Sequence, residues 1–340
     1  MANGTPIALP HARDVLVVKP SSFGDIIHTL PAVHALKRAY PGVRFHWAVN
    51  AEWAPLLEGN PDISSVLAFP RRQLRGLRAP MGFLKWCRSC RASVPSGFDL
   101  AIDFQGLLRS VLIARGCGAR SIAGLSDARE GSGLCYAHRA NVAGIYHAVD
   151  RYLALAAILG GDRSQPLFPL PLGESLDGVD PEKLQPAMVL HPFARGTGKS
   201  LPVPMVEKII HAMAPTPVVL LGVGGPTSHT WPSNTLNLLH QTNLAQLIWV
   251  MRHVAGVVSV DSGPMHLAAA LSVPLLGLHT WSDPRKVGPW NPKAQVWKAG
   301  KTLTVADLPA QEDTWCLKNE GWDDTLPEAI ATWASTWSGQ

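Results

Sequence analysis

Short apolar runs recur along the chain, each followed by a loop and then by a segment with helical spacing. The pattern predicts strands over residues 15–19, 43–49, 63–69, 98–103 and 121–124, and helices over 26–39, about 107–115, and 145–159. In the first helix the core face is Ile26, Ile27, Leu30, Val33 and Leu36; Pro31 lies inside that pattern and is expected to kink or locally open it. Residues 71–91 read as a helix or a long loop. A Pro-rich stretch, Q-P-L-F-P-L-P-L-G, follows Gly160-Gly161, and the alternation then restarts. Strands are expected over 187–190, 217–222, 257–260 and 275–278, and helices over 204–213, 244–253, 264–271 and finally 326–337. Strands alternating with helices imply parallel sheets with crossover helices. Two such blocks give an α/β protein with two Rossmann-like, doubly wound domains facing across a cleft. The expected boundaries are 1–163 for the first domain, 164–186 for the linker and 187–322 for the second domain. A C-terminal helix over 323–340 has the option of packing back on the first domain.

Three strand-to-loop corners carry candidate chemistry. The first is K-P-S-S-F-G-D-I-I-H-T-L-P, from Lys19 to Pro31, where a strand ends in a Gly-containing loop that presents Asp25 at the mouth of a helix. Such a corner is where open α/β sheets bind ligands. An acid there repels a phosphate, so Asp25 reads either as a proton-transferring carboxylate beside Ser22 and Gly24 or as a helix cap. The second corner is V-S-V-D-S-G-P-M-H, with Asp261, Ser262, Gly263 and His266. Pro264 at the first helical position and the small D-S-G turn leave backbone N–H groups open to an anion. The third is H-P-F-A-R-G-T-G-K-S, in which Arg195 and Lys199 lie on a glycine-rich loop. Phe193 occupies the position of the first P-loop glycine, so an ATP-hydrolysing P-loop is excluded, while neutralisation of a pyrophosphate is not. Asp103 and Gln105 end a first-domain strand and suit sugar hydroxyls or the bracing of neighbouring loops. Arg129, in D-A-R-E, suits an anionic acceptor.

Composition narrows the classes. Of 340 residues, 46% are apolar and 16% charged, the balance of an ordinary globular protein. No apolar run is long enough for a membrane-spanning helix, and the first residues lack the basic-then-apolar order of a secretory signal, so a cytoplasmic protein is expected. The five cysteines include a lone C-x-x-C, Cys87 and Cys90, without a second pair at zinc-ribbon spacing; neither a disulfide framework nor a metal site is expected. The net charge of +5 is unevenly spread: between Arg71 and Arg91 there are seven basic residues, Arg72 and Arg75 among them, and no acid. That run suits an anionic partner. Its scarcity of interleaved aromatics disfavours nucleic acid. No G-x-G-x-x-G follows a strand, which argues against a nicotinamide cofactor.

The first corner, the D-F-Q-G-L-L-R-S strand end, the A-R-E loop, the lysine loop ending in K-S-L-P, S-V-D-S-G-P-M-H-L-A-A-A-L and W-S-D-P-R-K-V-G-P-W occur in one order and spacing. In this the chain resembles glycosyltransferase family 9, the ADP-heptose:lipopolysaccharide heptosyltransferases, over roughly residues 15–296. The resemblance implies a GT-B fold and an inverting transfer of heptose from ADP-heptose to the lipopolysaccharide inner core, with no metal and no cofactor. It implies Asp25 as general base and Lys199 as a phosphate ligand. It places Asp261, Ser262, Gly263 and His266 at the nucleotide sugar and Arg129 at the acceptor; the residue patterns themselves add Gly24 and Arg195 as candidates for the nucleotide sugar and Ser22, Arg72, Arg75, Asp103 and Gln105 as candidates for the acceptor. A lipid-anchored acceptor implies peripheral contact with the cytoplasmic face of the inner membrane. The family's K-x-W-P stands here as Lys199-Ser200-Leu201-Pro202, and the G-G-P-T-S-H-T segment after Gly222-Val223 lacks an acid. A family 9 transferase with another nucleotide sugar or glycan acceptor, and a non-catalytic nucleotide-sugar binder, stay open beside this reading.

Overall fold

The computed structural model describes residues 12–71, 79–310 and 313–337. The chain divides into two compact units that meet in sequence at Pro171 and Leu172, inside the Pro-rich segment.

In the first unit the elements are β1 (Asp14–Val18), α1 (Phe23–Ala39), β2 (Arg44–Asn50), β3 (Ser65–Phe69), α2 (Ala79–Ser93), β4 (Phe98–Asp103), α3 (Leu108–Gly116), β5 (Ala119–Leu125), β6 (His138–Ala140) and α4 (Ala148–Ile158). The strands form one six-stranded sheet in the order β3-β2-β1-β4-β5-β6, parallel throughout. The central strand β1, D-V-L-V-V, is buried along its whole length, as a strand covered on both faces requires. Right-handed crossovers decide the layers. The connections β3–α2–β4 and β4–α3–β5 run one way across the sheet and place α2 and α3 on one face. The connection β1–α1–β2 runs the other way and places α1 on the opposite face, where α4 packs against it. Under α2 and α3 lies a core of Trp86, Cys90, Val111 and Ala114 against Leu16, Ala101 and Ile122. Cys87 and Cys90 belong to this core, and a Cβ at Gly116 would lie 2.6 Å from the Cys87 sulfur. The helix α1 runs on through Pro31 without interruption.

The second unit contains α5 (Pro181–Leu184), β7 (Met188–His191), α6 (Val203–Ala212), β8 (Val218–Gly222), β9 (Thr235–Leu239), α7 (Leu244–His253), β10 (Gly256–Val260), α8 (Gly263–Ala270), β11 (Leu275–His279), α9 (Pro284–Val287), β12 (Gln295–Lys298), β13 (Lys301–Thr304), α10 (Thr314–Leu317) and α11 (Leu326–Ser335). Its seven strands run β13-β12-β11-β10-β7-β8-β9, parallel except for the β12–β13 hairpin. The short helix α5 lies in the expected linker but packs against α7. The last helix stays within this unit: α11 packs on α6, and Ile330 and Trp333 enter the core beside Met188 and Val258.

In both sheets the strand order reverses at one place, between β1 and β4 in the first unit and between β7 and β10 in the second. Ligands of open α/β sheets bind outside the carboxyl ends of the strands at such switch points. The loops that leave those four strands begin at Lys19, Phe104, Pro192 and Asp261.

Candidate active site

At the first switch point Ser22 opens α1 and Asp25 stands three residues into it, so the N-cap is Ser22 and not Asp25. Asp25 Oδ2 accepts from Ser22 N at 3.0 Å and from Ser22 Oγ at 2.7 Å. The side chain remains 38% exposed, and its Oδ1 lies 3.8 Å from Lys19 Nζ. A carboxylate in the first turn of a helix is stabilised by the partial positive charge of the unpaired N–H groups. Lys19 itself is buried and donates to Tyr152 Oη at 2.8 Å and to the Phe104 carbonyl at 3.1 Å. Burial would lower the pKa of this ammonium, but the Tyr152 oxygen and the charges of Asp25 and Asp103 outweigh it, and the net shift is upward. Asp25 therefore faces solvent with a fixed cation behind it.

Asp103 ends β4 fully buried. Oδ1 accepts from the N–H groups of Gln105 at 2.9 Å and Gly106 at 3.1 Å; Oδ2 accepts from Ser110 Oγ and Tyr136 Oη, both at 2.7 Å. Burial pushes its carboxyl upward against the pull of these partners. Of the two uses its sequence allowed, the geometry is that of a loop brace: every oxygen lone-pair direction has a protein donor, and none is left for a sugar. The brace shapes the Gln105-Gly106 turn, whose Gly106 carbonyl accepts from Arg129 N at 2.8 Å. Arg129 is thereby tied by its backbone to the same corner, with its side chain exposed. Gln105 Oε1 is enclosed without a partner among the described residues. Gly24 is buried in the first turn of α1 beside Asp25. Arg72 and Arg75 lie outside the described residues.

At the second switch point Lys199 Nζ donates to Asp261 Oδ2 at 2.7 Å and lies 5.1 Å from the centre of the Trp281 ring. Burial would raise the Asp261 carboxyl, yet His279 and Lys199 hold it below its ordinary value. Because His279 is itself pushed down to about 4 by burial and is neutral at pH 7, the lysine carries that effect at neutral pH. The lysine loop is closed on itself by Ser200 Oγ, which bonds Ala194 N and Ala194 O, and is tied to the next loop by Thr280 Oγ1 donating to Gly198 O at 3.1 Å. Leu201 is buried in the core, and Trp322, arriving from far along the chain, donates from Nε1 to Ser200 O at 2.9 Å. Ser262 caps α8, and its hydroxyl lies 3.3 Å from His191 Nδ1. The first turn of α8 starts at Gly263, which has no side chain; Pro264 follows without an N–H, and the Met265 N–H donates to Ser262 O at 3.2 Å. His266 is buried one turn further on, and Arg195 is exposed on the loop.

Phe193 is explained by its neighbours. Its ring packs on the loop after β8: a Cβ at Gly225 would lie 2.2 Å from Phe193 Cε2, and one at Gly224 would lie 3.0 Å from Phe193 Cβ. The bulky residue and the small loop are one packing unit. Gly222 likewise admits the buried His191 ring, whose Nε2 would be 2.5 Å from a Cβ there.

The sequence marked Lys199 and Asp261 separately, and the fold joins them. Lys19, Tyr152, Thr280, Trp281 and Lys298 were not marked. Lys298 is fully buried at the end of β12 and donates to the carbonyls of Thr280 and Ser282, so it straps down the loop that carries Trp281. The available signal for Lys19 is a lone cation directly after the apolar run Val15–Val18; Lys298 in V-W-K has a similar but weaker one. Among the described residues no group of three or more His, Cys, Asp or Glu side chains stands where it could hold a metal ion.

The sequence profile of glycosyltransferase family 9 (heptosyltransferase) matches residues 87–312. Lipopolysaccharide heptosyltransferase 1 of Pseudomonas aeruginosa is 33% identical over 300 residues, which cover 83% of this chain and 82% of that protein. The protein of the same name from Salmonella typhimurium is 30% identical over 312 residues, covering 87% of this chain and 97% of that one. Among solved structures, E. coli heptosyltransferase WaaC with ADP matches with a TM-score of 0.75 at 23% identity, over 95% of this chain and 99% of that chain. E. coli ADP-heptose lps heptosyltransferase II matches with a TM-score of 0.70 at 21% identity, over 96% and 98% of the two chains. These structural likenesses bear on the fold, which is of the GT-B class with two parallel-sheet α/β domains.

Proposed function

The chain belongs to glycosyltransferase family 9, the heptosyltransferases, and from that premise we propose that it moves a heptose from ADP-heptose to the inner core of lipopolysaccharide with inversion, using Asp25 as general base. The observation that carries the reading is identity to a lipopolysaccharide heptosyltransferase 1 along 83% of the chain. The geometry of the two corners supports the division of labour.

Inverting transfer needs a base that takes the proton of the acceptor hydroxyl while its oxygen attacks the anomeric carbon from the face opposite the leaving group. The new C–O bond forms as the bond to the diphosphate breaks, and the proton ends on the base. Asp25 suits this role. Ser22 holds its carboxylate plane through Oδ2, and Lys19 Nζ lies behind it, 3.8 Å from Oδ1. Gly24 adds no side chain beside it and leaves room for a sugar. The leaving ADP gains negative charge, and in this reading Lys199, Arg195, Ser262, His266 and the backbone N–H at Gly263 stabilise it. Asp261 orients Lys199 and in this reading needs no contact with the nucleotide. Charge supplied this way removes the need for a divalent cation, so turnover is expected to persist in a chelator. Gln105 and Arg129, with Arg72 and Arg75, serve the anionic acceptor, and Asp103 serves it indirectly by bracing their loop. The acceptor being lipid-anchored, the enzyme works at the cytoplasmic face of the inner membrane.

The test is release of ADP from ADP-heptose with and without a truncated lipopolysaccharide core. Acceptor-dependent release supports transfer. Binding of ADP-heptose with no release on adding acceptor would leave a nucleotide-sugar binding protein. A donor with a different base or sugar is the alternative that a panel of nucleotide sugars distinguishes.

A further inference from the structure

We propose that the outer surface of the α2–α3 layer docks the first unit onto an anionic lipid bilayer. For its purpose this rests on the transferase reading with a lipid-anchored acceptor; its physical basis is independent of that reading.

In the first unit the described large apolar side chains that stand exposed are Met81, Leu84, Leu108, Leu112, Leu134, Tyr146 and Leu167, and the first five gather on one face. Met81 and Leu84 are on α2, at 72% and 53% exposure; Leu108 and Leu112 are on α3, at 46% and 53%. Leu134, at 85%, lies in the single turn of 3-10 helix over Ser132–Cys135 that packs beside α3. Both helices bury their other sides, with Trp86, Cys87 and Cys90 on α2 and Val111, Ile113 and Ala114 on α3. The apolar outer residues are therefore surplus to the core. On α2, Met81, Leu84, Lys85 and Arg88 follow the spacing of a single helical stripe; on α3, Leu108, Leu112 and Arg115 do the same.

The two stripes belong to one surface. The crossover rule puts α2 and α3 on the same side of the sheet, and Arg91 joins them by donating from α2 to the carbonyls of Gly116 and Arg115. Neither helix contains an aspartate or glutamate. The neighbouring Glu130 is engaged by the Leu108 N–H at 3.0 Å. Leucines interleaved with unopposed lysine and arginine make a surface suited to the boundary between headgroups and acyl chains, and its charge selects anionic lipid. A partner protein would be expected to answer such cations with acids, whereas a bilayer answers them with headgroup phosphates and takes up the leucines without any shape requirement.

Position along the sheet adds a second argument. Because α2 follows β3 and α3 follows β4, Met81, Leu84 and Leu108 stand at the carboxyl edge of the sheet, the edge on which Asp25 also stands. Docking through these side chains brings that corner to the membrane surface, where a lipid-anchored sugar is presented.

The experiment uses the full chain with vesicles of phosphatidylcholine alone and of phosphatidylcholine with phosphatidylglycerol, in a flotation assay. Binding is expected only to the anionic vesicles and to weaken with added salt. The variant Leu84→Ser/Leu112→Ser is expected to bind them more weakly by about tenfold or more, since each leucine contributes buried apolar area. Its turnover on a water-soluble, lipid-free core fragment is expected to be unchanged. Wild-type affinity in the double variant overturns the proposal, as does equal binding to both vesicle types. A dimer in sedimentation that the double variant dissolves also overturns it, because the face is then covered by a second copy. If the vesicle results hold while no ADP-heptose turnover is found, the docking surface stands and the transferase reading alone fails.

Discussion

Replacing Lys199 with alanine separates the task the geometry shows, pairing with Asp261, from the one we propose for it, a contact to the departing diphosphate. The ammonium neutralises Asp261 at 2.7 Å, where the carboxylate side chain is only 8% exposed and that of the lysine 21%. It also stands beside the first turn of α8, where the diphosphate is expected. Removing it leaves a poorly hydrated carboxylate without its ion-pair partner, with a stability cost to the second unit of about 1–3 kcal/mol. Removing a charge-assisted contact to the departing ADP costs about 1.5–3 kcal/mol in the transition state, roughly 10- to 150-fold in kcat/KM. The two costs come apart in the double variant Lys199→Ala/Asp261→Asn. Without a buried charge to neutralise, most of the lost stability returns, while catalysis stays low. Urea unfolding of the second unit and acceptor-dependent ADP release measure the two quantities on the same protein. If the double variant regains both stability and kcat/KM, the lysine does no more than neutralise Asp261, and the phosphate assignment is refuted.

Two further outcomes concern the scaffold. His191 and His279 are both buried and held at about 4 from an ordinary 6.5; a folded pKa below the unfolded one stabilises the protein above the unfolded value and is lost as pH falls. Stability of the second unit should therefore decline between pH 6.5 and 4 by up to about 3 kcal/mol for each histidine, followed by amide hydrogen exchange in β7 and β11; exchange that stays flat across this window contradicts the burial argument. Gly225→Ala forces a Cβ to 2.2 Å from Phe193 at a φ of +73°, with an expected cost of about 1–3 kcal/mol from overpacking and a further ~1–2 from the backbone. In a Phe193→Ala background only the backbone part should remain, so urea midpoints of the four proteins in this cycle measure the contact; strict additivity would mean the ring and the loop are independent.

Apolar runs were enough to place most central strands, and β4 and α7 coincide with their expected spans. The strands missed are β6, β9, β12 and β13, at or next to the sheet edges. Their sequences, such as T-L-N-L-L and K-T-L-T, are short and half polar because one side meets solvent, and so they resemble loops. At the site, the residue types at the two corners were legible because loops after buried strands leave few structural reasons for a serine, glycine and acid together. Partnership was not. Lys199 and Asp261 are separated by 62 positions, and only the adjacency of β7 and β10 brings them into contact. Lys19 and Lys298 escaped because a lysine is ordinarily a surface residue, and nothing local announces the phenol and carbonyl acceptors that make its burial tolerable. Asp103 shows the opposite difficulty: a carboxylate at a strand end looks the same in sequence whether it meets a sugar or two backbone N–H groups.

The claim on which the account turns is that Asp25 takes a proton and does not merely begin a helix. Asp25→Asn is the decisive variant, because an asparagine oxygen can still accept from Ser22 N and Ser22 Oγ and preserve the helix start, while the amide cannot act as a base. The measurement is acceptor-dependent release of ADP from ADP-heptose, paired with calorimetric donor binding. A fall in kcat of about 10²- to 10⁴-fold with donor affinity retained is the expected result. Turnover close to that of the unaltered protein would contradict it and leave Asp25 as part of the capping of α1.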